Sequence, residues 1–85
     1  MTYIPEIPLR DLIEIEFKEH KVKLSTRQLT KKCKESNLFK TKSVITFNTT
    51  SGILKIKTTI WMVGKKYILL KENLYIPIKS IVSVE

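Results

Sequence analysis

The sequence predicts a mainly β domain of the α+β class: a small antiparallel sheet of five to six strands, partly closed into a barrel, with one short basic helix. Three observations predict it. From Val44 to Glu85 apolar residues fall in five short runs separated by turn residues. Before them, Ser25-Thr26-Arg27-Gln28 has the form of a helix start. Finally, Ile7-Pro8-Leu9-Arg10-Asp11-Leu12-Ile13-Glu14-Ile15-Glu16 is nearly repeated by Ile76-Pro77-Ile78-Lys79-Ser80-Ile81-Val82-Ser83-Val84-Glu85. Each copy reads as a Pro, a polar corner and an alternating apolar strand. At 85 residues the chain holds one domain, 1–85, with a single core. With so few strands, closure is the natural protection for sheet edges.

Residues 1–8 read as an extended lead-in, because Pro5 and Pro8 disfavour helix at the residue before them. Residues 9–17 admit two readings. Leu9, Leu12, Ile13 and Phe17 fit a helical face, whereas Ile13, Ile15 and Phe17 alternate with Glu14, Glu16 and Lys18 as in a strand. The repeat favours a turn followed by a strand, and Val22 with Leu24 would then pair back. The helix is placed at about 25–36, with Ser25 and Gln28 forming a capping box and Leu29 and Cys33 turned inward. Asn37 would stop it.

A β meander fills about 43–85. Val44, Ile45 and Phe47 open it, and Asn48-Thr49-Thr50-Ser51-Gly52 is a hairpin connection in which Gly can take positive φ. In the next run Leu54, Ile56, Thr58 and Ile60 share one side, and Lys55, Lys57, Thr59 and Trp61 the other. Turns at Gly64-Lys65-Lys66 and Lys71-Glu72-Asn73 bracket Tyr67 to Leu70. Leu74 to Ile78 and Ile81 to Val84 complete the meander. The expected core is Phe17, Leu29, Phe39, Ile45, Phe47, Leu54, Ile56, Ile60, Ile68, Leu70, Ile78 and Ile81.

Charge is the compositional outlier. The net charge is +8, yet residues 1–20 sum to −3 and residues 21–85 to +11. A field of that sign attracts polyanions, although a lysine-rich face also keeps a small protein in solution. The clustered cations Lys21, Lys23, Arg27, Lys31, Lys34, Lys40 and Lys42 are the candidate phosphate contacts. Trp61 is a candidate stacking residue, with a structural capping role as its alternative. No apolar run exceeds four residues, far below the roughly 20 of a membrane-spanning helix, so no membrane partner is expected. Met1 to Glu6 lack the basic start and apolar core of a signal peptide, and the lone Cys33 can form no internal disulfide; both point to the cytoplasm.

Catalytic constellations are wanting. The chain has one His (His20), one Cys (Cys33) and one Asp (Asp11), too few for a nucleophile–base–orienter set or a zinc site. Gly52 and Gly64 stand alone, so there is no phosphate loop. Glu14 and Glu16 would share a strand face without the apolar surroundings that acid catalysis needs, so solvated charge is their expected role. No enzyme activity and no cofactor are expected. The function expected is a non-enzymatic module that binds nucleic acid through phosphates. Its alternative is a protein-interaction or regulatory module, with a protein partner or a second copy of the chain on an exposed edge or on the Trp61 patch.

Two resemblances bear on this. Val44 to Glu85, with the corner Ile76-Pro77-Ile78-Lys79-Ser80-Ile81 before the last strand, resembles in layout the small barrels of the Sm-like type. It lacks the Gly-Lys or Gly-Arg base-binding turn expected near the end of that type. The segment Ile7 to Glu16, the Lys-rich helix and Phe39-Lys40-Thr41-Lys42-Ser43-Val44-Ile45 together are similar to LytTR-type DNA-binding domains, with Thr41 in place of a His. That likeness implies phosphate contacts by Lys40, Lys42 and Ser43.

Overall fold

The computed structural model describes residues 3–20, 26–35 and 42–85. Strands β1 (Lys42–Thr49), β2 (Gly52–Val63), β3 (Tyr67–Leu70), β4 (Tyr75–Pro77) and β5 (Ile81–Val84) form one sheet in the order β4-β3-β2-β1-β5. All neighbours are antiparallel. Among the described residues the domain is therefore mainly β, with five strands in a sheet that does not close completely. The α-helix among the described residues, α1 (Thr26–Glu35), lies within the span expected for it. Ser25, Asn37, Phe39, Val22 and Leu24, which carried expectations of capping, core and pairing, lie outside the described residues.

The β1–β2 hairpin is longer and tighter than the composition of its turn suggests. Strand pairing runs through Asn48↔Ile53 to Thr49↔Gly52, which leaves only Thr50 and Ser51 as the connection. Thr49 braces it: its Oγ1 donates to the Gly52 carbonyl at 2.7 Å and accepts from the Ser51 N–H at 3.1 Å. Gly52 sits at φ +115°, a conformation open to glycine and hardly to other residues, although a Cβ there would meet nothing within 4 Å. The need is conformational rather than spatial.

Strand β2 is shared. Its first part pairs with β1, whereas Ile60 to Val63 pair with β3. The register shifts between Ile60 and Met62, so Trp61 is the extra residue of an irregularity that bends a strand and strengthens its twist. The inward set is the expected one: Ile56, Thr58 and Ile60 are buried and Leu54 is half-buried. They join Leu12, Leu29, Ile45, Phe47, Ile68, Leu70, Ile76, Ile78, Ile81 and Val84 in the core. Phe17 is half-buried, with its ring 5.6 Å from that of Phe47. Ile76 and Val84 join the core although they were absent from the expected set, and Leu12 turns inward as the repeated corner predicts.

The N-terminal residues clamp this hairpin from both edges. On one side the Ile7 N–H donates to the Lys55 carbonyl and the Lys55 N–H to the Pro5 carbonyl, both at 2.9 Å. On the other, Lys18 N–H donates to Asn48 O at 3.0 Å and Thr50 N–H to Glu16 O at 3.1 Å. The extended lead-in is thus a working part of the sheet's edge.

The repeated decapeptides share a corner and then diverge. Pro8 and Pro77 each precede a 3₁₀ turn in extended conformation, at φ −71°, ψ 151° and φ −62°, ψ 133°. Leu12 and Ile81 both point inward, at 4% and 0% exposure. The first turn runs six residues, Leu9–Glu14, and the second only three, Ile78–Ser80. The difference follows from partners. Ile81 meets β1 at once through Phe47, whereas the first copy makes no bridge until Phe17 meets Thr49. Residues 9–17 are therefore neither a continuous α-helix nor a strand.

Two outcomes follow from this packing. Phe47→Ala empties a fully buried position and should cost about 3–5 kcal/mol, enough to leave so small a domain largely unfolded near body temperature. Urea or thermal denaturation checks this against Ile53→Ala, an exposed position expected to change little. Glu72, exposed, sits at φ 65° in the β3–β4 connection. Glu72→Gly should therefore raise stability, by up to about 1 kcal/mol, measurable as a higher Tm; a lower Tm would show that the side chain, not the backbone, is what matters there.

Candidate interaction surface

Helical periodicity brings three of the candidate cations together. Arg27, Lys31 and Lys34 stand at i, i+4 and i+7 of α1 and all are exposed, while Leu29, on the opposite side, is 1% exposed. The helix therefore anchors by one apolar side and presents a cationic stripe. Lys42 opens β1 and is exposed opposite Thr59. Because Thr59 and Trp61 belong to the outward set of β2, Lys42 lies on the same outer side of the sheet as Trp61, with exposed Lys57 along the same strand. Lys21, Lys23 and Lys40 lie outside the described residues. Ser43, next to Lys42, turns inward at 1% exposure, and its hydroxyl donates to the Thr58 carbonyl at 3.2 Å.

Trp61 is 51% exposed. Its place at the register shift explains this: the extra residue of a bulge has no partner directly across the ladder.

A second surface was not foreseen. The outward residues Met62, Leu69 and Tyr75 form a continuous cross-strand row, because Met62 pairs with Leu69 and Leu69 with Tyr75. Tyr67 lies beside it, its ring edge-on to Tyr75 with centroids 5.0 Å apart and planes at 74°. Met62, Tyr67 and Tyr75 are all exposed. The two tyrosines wall two grooves. One, of about 400 Å³, is lined also by Met62, Gly64, Lys65, Lys66 and Leu69. The other, of about 490 Å³, is bordered by residues of the first 3₁₀ turn, among them Leu12 and Ile13, and by Phe17, Leu74 and Pro77. The signal was present in Tyr67-Ile68-Leu69-Leu70, a short strand apolar on both faces, of which the core can take only one.

Among the described residues no three of His, Cys, Asp and Glu gather as a metal site would require. The His20 N–H donates to the Lys79 carbonyl at 2.8 Å, and Glu14 and Glu16 are exposed. No helix among the described residues is long and apolar enough to cross a membrane. Comparison with protein-family models, with curated proteins and with solved structures finds no match to this chain.

Proposed function

We propose that this chain is a non-enzymatic, cytoplasmic nucleic-acid-binding module that acts mainly through phosphates. The observation that carries the reading is the stripe of Arg27, Lys31 and Lys34, exposed on a helix whose opposite side buries Leu29, in a chain of net charge +8. A polyanion laid along the stripe would meet three cations on one side of a single helix. Lys42 and Lys57, on the same outer side of the sheet as Trp61, add further cations on the side that offers a stacking residue. The strand order, with a 3₁₀ corner between β4 and β5, supports the Sm-like layout as the frame. The single His20, Cys33 and Asp11 support a binding role rather than a catalytic one.

A protein-interaction module is the second reading, favoured by the contiguous apolar face around Tyr67 and Tyr75. The lysines in the wall of that face argue for an anionic occupant instead.

Anisotropy titration with labelled DNA and RNA at two salt concentrations tests the first reading. Binding should weaken steeply with salt. The triple variant Arg27→Ala, Lys31→Ala, Lys34→Ala should keep the fold, checked by circular dichroism, and reduce the slope of log affinity against log salt by about 2–3. Absence of binding to any nucleic acid at low salt would overturn the proposal and make the charge a matter of solubility.

A further inference from the structure

The structure assigns a single-stranded nucleic-acid site to the outer face of β2, β3 and β4, where unpaired bases stack on Tyr67 and Tyr75 while Lys65 and Lys66 hold the adjoining phosphates. This rests on the phosphate-binding reading above and adds to it the form of the ligand and a second surface.

The face is built by strand register, not by a mobile segment. Ile68, Leu70 and Ile76 point into the core at 0% exposure, which obliges Tyr67, Leu69 and Tyr75 to point the other way. The alternative outward residues for a solvated sheet would be polar, as Lys57 and Thr59 are on β2. Here they are Met, Leu and two Tyr. The tyrosine pair stands as a ridge between two grooves, so planar groups can approach it from both sides.

Charge and chemistry select the occupant. Among the described residues that line the two grooves none is acidic, and two are lysines. Those lysines are held close to Tyr67 by a tight turn. The Gly64 N–H donates to the Tyr67 carbonyl at 2.8 Å, and a Cβ on Gly64 would stand 3.0 Å from that same oxygen. Protein interfaces deplete lysine at their cores, because its compact charge is costly to desolvate. A strand of nucleic acid meets both halves of the site at once, with base faces for the rings and phosphates for the ammonium groups. A duplex cannot, because its base faces are already stacked on one another. An unpaired strand is therefore the ligand whose chemistry matches.

The test uses the full chain and labelled homopolymers of about 12 nucleotides, oligo(U) and oligo(dT), with a duplex of equal length, by anisotropy at two salt concentrations. The wild type should prefer either single strand to duplex by about tenfold or more. Tyr67→Ala with Tyr75→Ala should remove that preference and leave duplex binding unchanged, whereas Tyr67→Phe with Tyr75→Phe, which keeps both rings, should preserve it. Lys65→Ala with Lys66→Ala should lower the salt slope for single strands by about 1–1.5. Should the alanine pair fail to fold, ring NMR signals of Tyr67 and Tyr75 in the wild type decide. Their shift with oligo(U) and not with duplex supports the site, and no shift overturns it. Nucleic acid bound equally well in both forms and indifferent to the tyrosines overturns this site alone and leaves the phosphate reading standing. No binding at low salt overturns both. Concentration-dependent self-association that the tyrosine substitutions abolish, with no single-strand preference, makes the face a contact between copies and also overturns it.

Discussion

The fold depends on β2 serving two neighbours. The twelve-residue strand Gly52–Val63 pairs first with β1 and then, beyond a register shift at Trp61, with β3. The register shift bends the strand where it exchanges β1 for β3 as its partner. Ile56 and Ile60, both fully buried, lie on either side of that exchange and tie the two halves of the sheet to one core. The bulge that allows the bend is also what lifts Trp61 out of the ladder. One geometric requirement thus sets both the shape of the core and the most exposed large aromatic of the strand pair.

Because the sheet does not close completely, edges remain, and the described N-terminal residues cover part of them. The lead-in bonds to β2 at Lys55, and residues 16–20 bond along the far end of β1 and to Lys79. Between these contacts the first 3₁₀ turn carries Leu12 into the core. The second corner does the same with Ile81. A Pro before a short 3₁₀ turn suits this task because its φ is already set and its missing N–H is not needed by the ladder. The same device serves at two places, and the neighbouring strands decide how long each turn lasts.

The surface divides in a way that bears on function. The cationic stripe of α1 belongs to an element fixed to the core by Leu29, so its charges can be removed without emptying the interior. The aromatic face of β3 and β4 is instead the reverse side of core positions and cannot be moved independently of them. An interaction using both would join a salt-dependent attraction to a stacking surface of defined position. The first supplies range and the second discrimination between paired and unpaired bases.

Much of the architecture was legible because it rests on local periodicity. Alternation in residues 44–84 assigned the inward faces of β1, β2 and β3 correctly, since the period of a strand is independent of what it packs on. Helical spacing did the same for Leu29 against Arg27, Lys31 and Lys34. Three things required the tertiary structure. The conformation of residues 9–17 was open in the sequence because both periods fit; with no bridge between Glu6 and Phe17, Leu9–Glu14 close into a 3₁₀ turn and Ile15 returns to extended backbone. The burial of Ile76 and Val84 depended on which short segments lie at the core's ends, whereas the inward turn of Leu12 and Ile81 was expected from the repeated corner. The tyrosine face arose because Met62, Leu69 and Tyr75 are separated along the chain and meet only through the register of three strands. A sequence shows which residues share a side of one strand; only pairing between strands shows which of those sides become one surface.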